Sequence, residues 1–285
     1  MMTNAPDHLV ELLQPVRLTS VVDIGANPIT DVPPYQPMLA RRICSLVGFE
    51  PQADGLALLN KHKGDLETYL PYAVGDGNPA TLKVCHAPGM SSLLTPNPRV
   101  LDCLNLYSIF GTVTGELPIE TRRLDDISEI AAIDFLKIDA QGSELSVFRS
   151  GRSRLANAVV VQTEVCFMQL YKDQPLFAEI DQELRSLGLI PHLFTEMKKA
   201  MILPLCFQND LYRTMNHTLY TDVVYVRDFT QPENMSVEQL KHLALIAHYC
   251  YQSFDLTTKC IRDLESRSAI AAGSVTQYLN GLSGR

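Results

Sequence analysis

Apolar and polar positions along the chain alternate in two registers. Short, mostly apolar runs are closed by glycine, proline or an acid, and between them lie stretches in which leucine or alanine recurs every three or four places. The first kind reads as buried strands, the second as helices. Strands are predicted over 21–25, 45–50, 68–74, 135–139, 159–164, 189–194 and 222–226. Helices are predicted over 7–17, with Leu9, Leu12 and Leu13 on one face, and over 38–44, 53–63, 144–148 and 177–187, the last stopped by Gly188. The run Val159-Val160-Val161 is the most apolar, as expected of a central strand buried on both faces.

The alternation lapses after Gly75-Asp76-Gly77-Asn78-Pro79. Residues 81–85 read as an extra strand, 121–124 as a short extended piece, and 78–120 as an insertion over the sheet edge, where long loops usually carry function. After Pro232 the pattern changes again. Leu240, Leu243, Ala244, Ala247 and Tyr251 predict a helix over 236–253, and Leu256, Cys260 and Leu264 another over 255–267. These two either pack back on the domain or form a homodimer contact, and the tail beyond Ile270 is expected to fray. The whole order predicts an α/β fold: a doubly wound, mostly parallel, seven-stranded Rossmann-like sheet over 1–230, with a C-terminal helical extension over 231–285.

Composition narrows the partners. The 285 residues are 46% hydrophobic and 20% charged, enough apolar content for a full core. The net charge is −8 with no Lys/Arg run beyond pairs, which argues against nucleic acid and leaves small-molecule, sugar or peptide substrates open. Seven scattered cysteines form no CxxC pair, so buried free thiols in a reducing compartment are expected rather than zinc or disulfides. There is no signal-peptide pattern and no apolar stretch long enough for a membrane span, so a cytoplasmic protein is expected.

Three predicted strands end in acids. Val21-Val22-Asp23-Ile24-Gly25-Ala26-Asn27 and Phe135-Leu136-Lys137-Ile138-Asp139 share one design, and Val47-Gly48-Phe49-Glu50 ends in Glu50. An acid at the second strand tip of such a sheet grips a ribose diol. A dinucleotide would also want G-x-G-x-x-G in the first turn, but Gly25-Ala26-Asn27-Pro28-Ile29-Thr30 offers one glycine. A cofactor with a ribose and no phosphate fits better, and S-adenosylmethionine (AdoMet) is one. The competing readings are a nicotinamide oxidoreductase, which the missing glycines disfavour, and a plain strand–turn–helix scaffold without chemistry.

The same segments carry a family resemblance. The chain resembles the FkbM-type methyltransferases of the AdoMet-dependent class I fold in Val22-Asp23-Ile24-Gly25-Ala26-Asn27, Gly48-Phe49-Glu50-Pro51, Tyr72-Ala73-Val74-Gly75-Asp76, Leu124-Asp125-Asp126-Ile127, Asp134 to Glu144, and Gln162-Thr163-Glu164-Val165. The resemblance covers roughly 20–195. It implies that Asp23, Gly25, Ala26 and Asn27 line the methionine and ribose side, that Glu50 holds the ribose hydroxyls, and that Ala73, Val74 and Asp76 border the adenine. It implies that Asp139 faces the sulfonium and the acceptor. It also implies O-methylation of a sugar-containing or secondary-metabolite hydroxyl, a small molecule or glycan, with N-methylation of a peptide or amine as the rival. Pro28-Ile29 departs from the family pattern, which has a glycine two residues after the asparagine, and Ile29 is expected to narrow the turn.

Methyl transfer asks the protein to align a nucleophile and take its proton. Asp139, Glu164 and His86 are the candidate bases, against a structural acid for Glu164 and a solvated loop residue for His86. Asp139 and Glu164 could instead hold a divalent cation, but no third ligand is evident and no metal is expected. Lys137, inside a buried strand, is expected to pair with Glu144, Asp126 or Glu164. Ser91 and Ser92 are placed to hydrogen-bond the methionine or the acceptor from the insertion. Arg122 and Arg123 either bind an anionic acceptor or lie on a solvated face.

Overall fold

A computed structural model describes residues 8–27, 32–195 and 197–283. Pro28 and Ile29 lie outside the described residues. The first half of the chain runs α1 (His8–Leu13), β1 (Thr19–Ile24), α2 (Gln36–Ala40), β2 (Cys44–Phe49), α3 (Ala53–His62), β3 (Glu67–Leu70), β4 (Ala73–Gly75) and β5 (Pro79–Cys85). It continues with α4 (Pro98–Leu101), α5 (Tyr107–Phe110), β6 (Val113–Arg123), β7 (Phe135–Ile138), α6 (Glu144–Ser150), α7 (Arg152–Leu155) and β8 (Val160–Cys166). The remainder is α8 (Phe177–Ser186), β9 (Leu189–Phe194), β10 (Lys198–Ala200), β11 (His217–Arg227), α9 (Val237–Tyr251), α10 (Phe254–Ser266) and α11 (Ser274–Ser283).

The main sheet has the order β10-β11-β8-β7-β1-β2-β3, with β9 also on β11. Strands β3, β2, β1, β7 and β8 are parallel, and helical crossovers join most of them. No crossover helix lies between β9 and β11, so that pair is antiparallel, and β11 is also antiparallel to β8 and β10. The mostly parallel α/β architecture read from the sequence is therefore present, with β10 as an addition.

Three other departures have local causes. The single strand predicted over 68–74 divides at Pro71: β3 stays in the main sheet, and β4 leaves it to pair with β6. The insertion is not mainly loop. β5 and β6 form a long antiparallel pair from Pro79↔Glu120 to Cys85↔Val113, where the sequence predicted only residues 81–85 and 121–124 as extended. Most of β6 is exposed and it contains Gly115 and Pro118, so it lacks the apolar alternation that announces a strand. The tail expected to fray folds as α11, and Tyr278 on it meets His248 Nδ1 at 2.8 Å.

One apolar core packs α1, α2, α9 and α10 on one face of the sheet, through Leu13, Met38, Phe135, Leu243 and Ile261. Every residue from Leu240 to Tyr249 is buried, so α9 is a core helix. Its start is fixed by a capping box between Ser236 and Gln239. The opposite face packs α6 and α8 through Val22, Leu136, Phe148, Val161 and Leu184. A third cluster, including Met90, Leu104, Cys166, Tyr171 and Leu219, forms a cap from three segments far apart in sequence. Cys44, Cys85, Cys166 and Cys260 are buried free thiols, Cys250 is half-buried, and Cys103 and Cys206 are exposed, contrary to a uniformly buried set. Among the described residues, no helix is long and apolar enough to cross a membrane, and no group of three or more His, Cys, Asp or Glu could hold a metal ion.

Candidate active site

The carboxyl ends of β1, β2 and β7 meet at one cleft, the place where open α/β sheets bind ligands. Its floor is the turn after β1. Gly25 has φ 79°, and a Cβ there would be driven into the main-chain oxygen of Asp139, so only glycine lets the tips of β1 and β7 approach this closely. The amides of Gly25 and Ala26 both donate to the Phe49 carbonyl, at 3.1 and 3.0 Å, which fixes the turn against β2.

Glu50, one residue beyond β2, is 2% exposed. Its Oε1 accepts the Gln52 amide at 2.8 Å, and a Cβ on Gly55 would press on its side chain, so Gly55 keeps the room that the carboxylate occupies. Burial pushes its carboxyl above the ordinary glutamate range. Phe49, Tyr72, Ala73, Val74 and Leu82 make an apolar wall beside it, and Asn27 and Asp139 line the same cleft. Tyr72 is braced from outside: the Arg122 guanidinium stacks over its ring at 3.5 Å, and its hydroxyl donates to Glu129 at 3.0 Å.

Several sequence-predicted residues sit elsewhere. Asp23 does not line the cleft. It is buried, accepting Tyr35 hydroxyl at 2.5 Å and facing Lys137 Nζ at 3.1 Å. Lys137 therefore pairs with Asp23 rather than with Glu144, Asp126 or Glu164, because Asp23 and Lys137 are register partners on adjacent strands. Ala26 is buried under the turn. Asp76 caps the turn to Asn78, accepting its amide at 2.9 Å, and does not border the cleft. His86 is exposed at the end of β5, also outside the cleft lining. Ser91 and Ser92 line the cleft, but their hydroxyls already serve the protein: Ser91 accepts the Cys85 amide at 3.1 Å, and Ser92 donates to the Gln141 carbonyl at 2.6 Å. Arg123 lies 3.6 Å from Asp126.

Beyond the cleft a row of acids continues across the sheet. Ile138 is opposite Thr163, so Glu164 falls beside Asp139, and Asp222 of β11 is the register partner of Glu164. Burial, and then the charges of Asp139, Glu144 and Asp222, hold Glu164 well above the ordinary carboxylate range. Glu144 is buried below this row; its Oε1 accepts the Ala140 and Gly142 amides at 2.9 and 3.1 Å, and burial pushes it up to about 7. Tyr220 and Tyr107 lie near Glu164, and burial raises both of their hydroxyls. Neither tyrosine was foreseen, since residues on β11 and in the insertion converge only in three dimensions.

Residues 23–190, more than half of the chain, match the family model of the methyltransferase FkbM domain. The chain belongs to the FkbM methyltransferase family. It is an AdoMet-dependent methyltransferase. Solved structures similar to it include magnesium protoporphyrin IX methyltransferase from Synechocystis PCC 6803, at 10% identity, with 78% of this chain and 77% of that chain covered and a TM-score of 0.38. Another is a TehB-like SAM-dependent methyltransferase from Corynebacterium glutamicum, at 8% identity, with coverage of 79% and 90% and a TM-score of 0.34. No curated protein gives a significant match.

The cleft of this FkbM-family enzyme suits AdoMet. Its lining brings together an apolar wall that could face an adenine, the buried Glu50 side chain that could hold a ribose diol, and Asp139 that could face a sulfonium. The single-glycine turn has no need to cradle a pyrophosphate.

Proposed function

We propose that this enzyme methylates a hydroxyl oxygen of an uncharged, sugar-containing or other small-molecule acceptor, with Glu164 as the general base. The supporting observation is the shared face of Asp139, Glu164 and Asp222 at the carboxyl end of the sheet, beside the cofactor cleft. A carboxylate held above its ordinary range takes a hydroxyl proton more readily near neutral pH. The same acids repel an anionic acceptor. Tyr107 and Tyr220, near Glu164, add polar groups that a polyol could meet.

When bound, the cofactor would supply a methyl group already activated on a sulfonium. Glu50 would hold the ribose, Asp139 would lie on the side of the cationic sulfur, and Glu164 would take the proton of the acceptor hydroxyl. Burial first, and then the charges of Asp139, Glu144 and Asp222, would keep Glu164 basic.

The test is turnover of AdoMet against a panel of sugars, polyols and amines, with mass-spectrometric location of the methylated atom. Methyl ethers are expected. Glu164→Gln should lower turnover about 100-fold or more with affinity for S-adenosylhomocysteine (SAH) preserved. Unchanged turnover in that variant would remove Glu164 from the mechanism. The acidic row also suits a cationic amine, so methylamine products would establish N-methylation instead.

A further inference from the structure

Gln141 occupies the turn after β7 with φ 49°, a left-handed conformation that residues other than glycine seldom adopt. Such a backbone persists where its surroundings over-determine it, and these positions cluster at functional sites. Three contacts do so here. The Gln141 amide Nε2 donates to Asp139 Oδ1 at 2.6 Å. Its Oε1 accepts the Tyr171 hydroxyl at 2.9 Å. Its main-chain oxygen accepts the Ser92 hydroxyl at 2.6 Å. Tyr171 is buried in the cap, and its hydroxyl also lies 3.1 Å from the Met90 carbonyl oxygen.

The chemistry of the amide allows one orientation. A carboxylate only accepts, so the amide nitrogen must face Asp139, and the amide oxygen is left for the tyrosine. A glutamate here could not donate to Asp139. It would also add charge where Glu144, Glu164 and Asp222 already stand around that carboxylate. A neutral donor of this length is what the position requires.

We propose that Gln141 is a positioning residue of the methyl-transfer site: it aims the Asp139 carboxylate at the cofactor's cationic sulfur and fastens it to the cap through Tyr171 and Ser92. The inference rests on the reading that Asp139 faces the sulfonium. It makes Tyr171, which does not itself line the cleft, a determinant of how tightly the charged cofactor is held.

AdoMet and SAH share every group except the methyl and its positive charge, so the ratio of their affinities reads the field at the sulfur. Wild type, Asp139→Asn, Gln141→Ala and Tyr171→Phe are titrated calorimetrically with both ligands, and thermal unfolding is recorded for each. Asp139→Asn should lower AdoMet affinity relative to SAH. Gln141→Ala and Tyr171→Phe should lower the same ratio, Gln141→Ala by about tenfold or more, the size of losing one hydrogen bond to a charged group, with SAH affinity retained. Tyr171→Phe keeps the ring and the cap core, so it reads the contact even if Gln141→Ala does not fold. An unchanged ratio in Asp139→Asn would overturn the reading of Asp139 itself. A changed ratio there with an unchanged ratio in the other two variants would overturn the positioning role alone. Equal losses for both ligands in the Gln141 and Tyr171 variants would make the contact structural and overturn it too.

Discussion

Lys137 Nζ lies 3.1 Å from Asp23 Oδ1, directly across the parallel register that joins β1 to β7. The Asp23 side chain is 2% exposed, and Tyr35 is its other partner. Removing the lysine would leave a buried carboxylate with one neutral donor. Lys137→Met is expected to cost about 3–5 kcal/mol, measured by urea denaturation. Adding Asp23→Asn should recover part of the loss, because the uncompensated charge is then gone. A cost under about 1 kcal/mol would mean that the pair contributes little.

Gly25→Ala tests the close approach of the two strand tips. The left-handed backbone alone costs about 1–2 kcal/mol for a side-chain residue, and the new Cβ would collide with the Asp139 carbonyl. Loss of SAH binding together with a lower melting temperature is expected. Retained binding would show that the turn can open without harm to the cleft.

Glu50→Ala should weaken SAH binding about tenfold or more, as for a lost charge-assisted hydrogen bond. Because burial raises this carboxyl, the wild-type grip should fade on acidification at a pH above the ordinary glutamate range. Titrations from pH 8 to pH 5 check both statements. Wild-type affinity in the variant would rule out the ribose role.

Stability should respond to pH in two opposed ways. Glu144, held at about 7, and Glu164, also raised, bind protons more tightly folded than unfolded. Between the ordinary glutamate range and about 7 the native Glu144 thus carries the extra proton, and stability falls as pH rises across that window, by about 1.4 kcal/mol per pH unit for each proton involved. His192 and His242 are lowered by burial, so the unfolded chain takes their protons first and stability falls on acidification below the ordinary histidine range. A stability maximum slightly below neutrality is expected in a pH series of denaturation curves. Glu144→Gln, which keeps an oxygen for the two amides, should flatten the alkaline side. An unchanged slope there would exclude Glu144 as its source.

The sequence made the sheet legible because buried parallel strands advertise themselves as β-branched runs, and the acids Glu50 and Asp139 stood at their ends. Position along a strand said less about direction. Asp23 and Asp139 each follow an apolar run, yet Asp23 turns into a buried pair with Lys137 while Asp139 lines the cleft. Only the pairing register decides this, and register depends on residues more than a hundred positions apart. The β5–β6 pair was hidden for another reason: most of β6 is exposed, so no burial imposed an alternation on it. Tyr107, Tyr171 and Tyr220 carried no motif, and Gln141 lay within the Asp134–Glu144 segment without a role there; their relevance comes from contacts across the cap.

The cap also carries an order of events. Asn105 donates to the main-chain oxygens of Leu211 and Arg213 and accepts the Met201 amide, and Leu104 pairs with Ile202. None of these contacts can form until about a hundred further residues have left the ribosome. The residues of the cofactor cleft, by contrast, are complete by Gln141. On a growing chain the residues lining the cleft all exist before Glu164, Tyr220 and Asp222 are made, so on this reading the acceptor side is completed after the cofactor side.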